Sequence, residues 1–138
     1  MFIEGVCVAL IRDGKLLVIS RKDNPNDFGL PGGKVDEDDE TVSMAAAREL
    51  KEETGIDIPW YDMMHVWTGT EKYQGNAIEC YFFMVMRDDG QVPTQQPGEG
   101  QLKWASSWHT VMAGSFGGYY RELLHAVPWL RDKLTAIA

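Results

Sequence analysis

The stretch that decides the fold runs Gly32-Gly33-Lys34-Val35-Asp36-Glu37-Asp38-Asp39-Glu40-Thr41 and on to Arg48-Glu49-Leu50-Lys51-Glu52-Glu53-Thr54-Gly55-Ile56. Thr41 is a helix-capping residue whose hydroxyl satisfies an orphan amide of the first turn, and Gly55 supplies a left-handed stop. Between them Val42, Ala46, Leu50 and Glu53 follow roughly helical spacing, which predicts a helix to about Thr54 with its apolar side toward a core. The same helix carries a carboxylate cluster. Glu49 and Glu52 are three apart and Glu49 and Glu53 four apart, so the side chains project toward one face. Like charges at this spacing cost about 0.2–0.5 kcal/mol per pair. A converging cluster costs more unless a proton or a cation neutralises it. An isolated Glu-Glu pair would read as a solvated helix face partnered by Arg48 and Lys51. Several carboxylates acting together suit Mg²⁺ or Mn²⁺ better than zinc, for which His and Cys are expected.

Outward from the helix, Phe2 to Ile11 reads as a strand, and Asp13-Gly14 as a hairpin turn into a second strand, Lys15 to Arg21. Asp23 to Gly33, with three glycines and two prolines, reads as a loop. Past Pro59, strands are expected at Met63 to Thr70 and Asn76 to Arg87, closed by Asp88-Asp89-Gly90. Gln91 to Gly100 is a loop leading to a short strand, Gln101 to Ala105. A brief helical element near Ser107 to Met112 precedes a longer helix from about Tyr119, which Pro128 must kink or restart because it lacks an N–H. Strands with a helix between them and a helix at the end make an α+β layered domain.

The 138 residues suffice for one domain, expected over 1–138, with a core that needs no disulfide. No apolar run reaches the ~18 residues of a membrane span. Met1-Phe2-Ile3-Glu4 lacks the features of a signal peptide, so a cytoplasmic protein is expected. Cys7 and Cys80 sit in strand-like runs without metal-site spacing and read as buried thiols of a reducing compartment, although a disulfide is geometrically open to them. The net charge of -8 argues against a nucleic-acid polymer or an anionic membrane as partner. A phosphorylated small molecule stays open, provided cations bridge it to the protein. Acidic surfaces also serve solubility alone.

The segment resembles the signature of the Nudix family (MutT-like pyrophosphohydrolases): Gly, five residues, Glu, seven residues, then Arg-Glu-apolar-x-Glu-Glu-x-Gly-apolar. Glu40, Arg48, Glu49, Leu50, Glu52, Glu53, Gly55 and Ile56 match, and Phe28-Gly29-Leu30-Pro31-Gly32-Gly33-Lys34-Val35 looks like the usual lead-in. One spacing departs: six residues, Lys34 to Asp39, separate Gly33 from Glu40 where five are usual. That puts the positions of Glu40 and of the Gly32-Gly33 backbone in question, not the helix.

The resemblance implies an α/β/α sandwich around a central mixed β-sheet. It also implies hydrolysis of a phosphoanhydride in a nucleoside-diphosphate-containing substrate, with Mg²⁺ as cofactor and Mn²⁺ as the alternative. Glu49, Glu52 and Glu53 would ligate the metal, joined by the Gly32 carbonyl. Arg48 would orient the glutamates, and Glu40 would support the site from the substrate side. Glu99, in Pro97-Gly98-Glu99-Gly100, is the candidate for an added carboxylate, against simple loop solvation; Glu79, on a strand, is the poorer one. Either Glu53 or Glu99 would serve as base. Arg21 and Lys22, against ordinary strand-end charges, and Phe28 are the further substrate-side candidates. Trp67, Tyr73 and Phe116 are candidates for stacking on a base, while His65, His109 and His125 read as structural. The leading substrate is a nucleoside triphosphate cleaved to monophosphate and pyrophosphate. Dinucleoside polyphosphates or nucleotide sugars follow, and a silent nucleotide-binding domain comes last. Monomer and homodimer are both left open.

Overall fold

Strands whose apolar residues run without alternation must be covered on both faces, and a computed structural model of the chain, describing residues 2–135, shows this arrangement. Met1 and residues 136–138, the ends of the expected domain, lie outside the described residues. On strand β1 (Phe2–Ala9), Val6 and Val8 point to one side, where they meet Ala45, Ala46 and Leu50 of helix α1 (Val42–Thr54). Cys7 and Ala9 point to the other side, toward helices α2 (His109–Met112) and α3 (Gly117–Ala126). Strand β7 (Asn76–Val85) repeats the division, with Phe83 on the α1 side and Phe82 on the α3 side. The result is an α/β/α sandwich, as expected.

The strands between these are β2 (Ile11–Arg12), β3 (Lys15–Arg21), β4 (Asn24–Gly29), β5 (Gly32–Lys34) and β6 (Met63–Tyr73); β8 (Leu102–Ala105) follows β7. One sheet has the order β5-β1-β7-β6 and is mixed, since β1 and β7 run parallel while the outer pairs are antiparallel. In the second, β2, β4 and β8 all pair antiparallel with β3. Thr41 caps α1 by accepting the Met44 amide at 3.1 Å, and Gly55 ends it at φ 77°. The hairpin tips Asp13-Gly14 and Gln74-Gly75 each have two residues of positive φ, the geometry that matches strand twist.

Several expectations are corrected. Asp23 to Gly33 is largely two strands rather than a loop. β4 pairs with β3 across an irregularity at Ser20/Arg21, and β5 pairs with β1. Glycine permits the second pairing, because a Cβ on Gly32 would lie 2.1 Å from the Val6 carbonyl oxygen. The first strand stops at Ala9, and β6 continues past Thr70 to Tyr73. A 3₁₀ turn at Trp60–Asp62, not foreseen, follows Pro59, and Pro128 starts a new 3₁₀ turn, Pro128–Lys133, rather than kinking α3. No helix among the described residues is long and apolar enough to cross a membrane.

Candidate active site

The α1 carboxylates are set in place by one backbone amide and one arginine. Glu53 turns inward, and its Oε1 accepts the Gly32 amide of β5 at 2.5 Å. Burial, with the Glu49 and Glu99 charges nearby, pushes its carboxyl up to about 8 against the pull of that amide. Glu49 lies over Gly33, where a Cβ would sit 2.7 Å from its carboxylate. Its pKa is likewise raised by burial, with Arg48 opposing. Glu52 faces outward, its side chain 54% exposed, within 3.1 Å of Arg48.

Arg48 organises the helix and the loop before it. Its Nη1 donates to Glu49 at 3.0 Å and to Glu52 at 3.1 Å, while Nη2 donates to the Lys34 carbonyl at 3.1 Å. The tightest partner is Asp39, which accepts from Nε at 3.0 Å and from Nη2 at 2.9 Å, and from the Asp36 amide at 2.9 Å. Arg48 in turn holds the Asp39 carboxyl below the usual carboxylate range. Glu40 is exposed and makes no side-chain hydrogen bond among the described residues. Counting five residues on from Gly33 reaches Asp39, whereas counting back from Arg48 reaches Glu40; the fold takes the first count. Asp39 is thus a residue that sequence reasoning passed over although the spacing held the signal.

Glu99 enters from the loop before β8 and shares a cavity of about 430 Å³ with Glu53, Gly32, Arg21, Lys22 and Phe28. Lys22 Nζ lies 3.7 Å from its carboxylate. Arg21 is held at the rim, donating to Asp23 at 3.0 Å and to the Tyr73 hydroxyl at 2.9 Å. Phe28 presents its ring to Lys103, whose Nζ stands 4.4 Å from the centroid. The structure therefore gathers Glu53, Glu99, Gly32, Arg21 and Phe28 around one space, keeps Glu49 behind Gly33, and leaves Glu40 outside.

A second cavity, about 460 Å³, opens beside the first; Leu30, Gly32, Phe116 and Tyr120 line both. Tyr73 and Phe116 lie on it, their rings 5.4 Å apart. Trp67 instead folds over Gly69 and packs on Tyr119, with centroids 5.3 Å apart. His65 bonds the Thr68 hydroxyl at 2.6 Å and packs on Tyr81 and Phe83. Cys7 and Cys80 are both free thiols, 3.9 Å apart.

The donor set is all oxygen, and Glu53, half-buried, has the Gly32 amide but no ion-pair partner among the described residues. Such a set fits a hard divalent ion. As the side chains stand, no group of three or more carboxylates among the described residues meets in one coordination sphere, because Arg48 draws Glu52 outward and the Gly32 amide holds Glu53.

Comparison with known proteins places this geometry. Over 76 residues the chain is 40% identical to an ADP-ribose pyrophosphatase of Methanocaldococcus jannaschii, a match covering 53% of this chain and 44% of that protein. The chain thus spans less than half that relative's length. A crystal structure of a MutT NUDIX hydrolase from Burkholderia pseudomallei superposes with TM-score 0.65 at 30% identity, over 76% of this chain and 83% of that one. The solution structure of the E. coli ORF135 protein superposes with TM-score 0.73 at 27% identity, over 98% and 94% of the two chains. Residues 1–129 match the NUDIX domain, and with the helix, the capped loop and the sandwich in agreement, the chain belongs to the Nudix family.

Proposed function

We propose that this domain hydrolyses a phosphoanhydride bond of a nucleotide in a divalent-metal-dependent reaction, with a nucleoside triphosphate giving the monophosphate and pyrophosphate. One observation carries the reading. Two cavities meet at Gly32, one bearing Glu53 and Glu99 and the other largely apolar. That pairing suits a ligand with a polyanionic end and a flat, weakly polar end. Glu49, Glu52, Glu53 and Glu99, with the Gly32 carbonyl, would hold Mg²⁺ or Mn²⁺, which supplies Lewis-acid polarisation of the phosphate oxygens and a lowered water pKa.

The chain's own groups do the rest. Arg21 and Lys22 at the cavity rim attract the phosphates, and Phe28 and Phe116 wall them from solvent. Water attacks phosphorus, the bridging P–O bond breaks, and the water's proton passes to the carboxylate of Glu53 or Glu99. Arg48 acts through Glu49 and Glu52, fixing their rotamers from the loop side. The unpaired thiols suit a reducing cytoplasm.

The 40% identity to an ADP-ribose pyrophosphatase favours a nucleoside diphosphate sugar as the second reading. The test is product analysis for nucleoside triphosphates, ADP-ribose and dinucleoside polyphosphates, with Mg²⁺, with Mn²⁺ and with chelator. Metal-dependent release of pyrophosphate and monophosphate is expected, lost in Glu53→Gln. No metal-dependent turnover on any of them would make this a binding domain.

A further inference from the structure

The apolar cavity has a floor built from one face of the mixed sheet. Ile3, Gly5 and Cys7 alternate along β1, Ile78 and Cys80 continue the face on β7, and Glu71 extends it on β6. Register fixes where each lies. Cys7 pairs with Gly32, at the end that adjoins Glu53. Ile3 pairs with Ile78, and Ile78 with Glu71. Glu71 therefore stands on a row four residues along β1 from the Gly32 row, roughly 13 Å away at about 3.3 Å per residue. Gly5 lies between the rows and keeps the floor flat, while Phe116, just before α3, supplies an aromatic roof whose ring stands 5.4 Å from that of Tyr73 at the end of β6.

Two charged side chains line this cavity, Lys34 on the Gly5 row at the β5 edge and Glu71 on the Ile3 row at the β6 edge. Glu71 is the one acid among the described residues lining it. One of its oxygens, Oε1, accepts the Lys72 amide at 3.2 Å; the other makes no hydrogen bond among the described residues. A carboxylate is acceptor-only, so the complementary ligand group at this end is an N–H donor.

Resting on the nucleotide reading above, we infer that Glu71 reads the base: its carboxylate accepts a hydrogen bond from an exocyclic amino group, selecting amino-bearing bases over those presenting a carbonyl at that position. Base between the aromatic roof and the flat floor, sugar over Gly5, phosphates past Gly32 toward Glu53: that order fits the length of the slot. Cytosine and uracil make the cleanest comparison, since they differ by amino against carbonyl at one ring carbon and by the proton on the adjacent nitrogen. A carbonyl facing a carboxylate leaves two acceptors opposed and desolvated, which hydrogen-bond energetics put at a factor of about 10 to 100.

The experiment measures kcat and KM for CTP and UTP, and calorimetric binding of CMP and UMP to the metal-free protein, in wild type, Glu71→Gln and Glu79→Gln. Glu79 faces the opposite side of β7, where it accepts the Tyr81 hydroxyl at 2.7 Å, and serves as control. Wild type is expected to favour cytidine about 10- to 100-fold, through KM and Kd with kcat little changed, because the base lies far from the reacting phosphorus. Glu71→Gln, whose amide can present either a carbonyl or an NH₂, is expected to bring the ratio to within about threefold. Glu79→Gln keeps the wild-type ratio. No cytidine preference in wild type, an unchanged ratio in Glu71→Gln, or no CMP binding at all would overturn the assignment. Binding that shows the Glu71 dependence without turnover on any nucleotide would sustain it and overturn the hydrolase reading instead.

Discussion

Asp39→Ala removes the acid that holds Arg48, and the structure sets the size of the effect. The change deletes two charge-assisted bonds from the guanidinium, at 3.0 and 2.9 Å, and one from the Asp36 amide at 2.9 Å. The Asp39 side chain is 7% exposed, so water does not already compete for these bonds. Bonds to charged groups are worth about 1.5–3 kcal/mol each when their partner is left unsatisfied. Arg48 is not left so: it keeps Glu49, Glu52 and the Lys34 carbonyl and is 26% exposed. The net loss is therefore about 2 kcal/mol rather than the sum. At this chain length that lowers Tm by roughly 8 °C, at about 4 °C per kcal/mol. Glu40→Ala, an exposed change without a partner, should stay within about 0.5 kcal/mol. Thermal unfolding of both variants at pH 7 by circular dichroism makes the comparison. The difference between them should also close in acid. Asp39 has a depressed folded pKa, so its contribution is present above the unfolded value and fades as pH falls through the folded one. If Glu40→Ala destabilises as much as Asp39→Ala, the reasoning that Asp39 anchors Arg48 fails.

Other expectations concern the carboxylates and the core. In chelator, Glu53 with its carboxyl near 8 favours the protonated fold. Its stabilising effect is complete below the unfolded value and is lost as pH rises toward 8, so Tm should fall over that range and Glu53→Gln should flatten the fall. A wild-type Tm independent of pH from 5 to 8 without metal would contradict the burial assigned to Glu53. Both Glu52→Gln and Glu53→Gln should lower turnover by several orders of magnitude at intact fold; near wild-type rates in both would remove them from the chemistry. Gly33→Ala puts a methyl 2.7 Å from the Glu49 carboxylate and should cost activity more than stability, as kcat beside Tm would show. Leu50→Ala empties a fully buried position against Val6 and Val8 and should cost about 2–5 kcal/mol, read from denaturant unfolding.

Features legible in the sequence are those written within a few residues of one another. Thr41 and Gly55 bound α1 because caps act on the adjacent turn. Asp13-Gly14 marks its hairpin for the same reason. The run of glutamates is likewise written within one helix, although Glu53 turns inward and Glu52 outward rather than sharing the one face expected. β4 and β5 escaped because their pairing partners are distant in the chain, and a glycine-rich stretch reads as a loop until Val6 approaches Gly32. The union of Glu53 with Glu99 and the slot running to Glu71 depend on tertiary contact in the same way. Arg48 and Glu49 stand in one short stretch; Ile3, Gly32, Glu71 and Phe116 meet only when the sheet and α3 are assembled. The motif behind the proposed reaction is therefore local information here, and the base selectivity proposed for Glu71 is not.

The acid that holds Arg48 lies between these extremes. Five consecutive acids, Asp36 to Glu40, precede the helix cap, so an acid is available at whichever register the loop adopts. Two constraints choose among them. Asp39 must reach Nε and Nη2 of Arg48 together, and its backbone must also let the Asp36 amide close back on its carboxylate. A residue nearer Thr41 is carried into the cap itself, where Thr41 accepts the Met44 amide and the chain has already turned. Glu40 is in that position and points to solvent. With an extra residue between glycine and glutamate, Arg48 still has an acid partner, because the acidic run hands it to the preceding carboxylate. Replacing Asp39 alone, with Glu40 intact, accordingly leaves Arg48 with Asp36 at 3.5 Å, Glu49 and Glu52 but without the acid that takes Nε and Nη2 together.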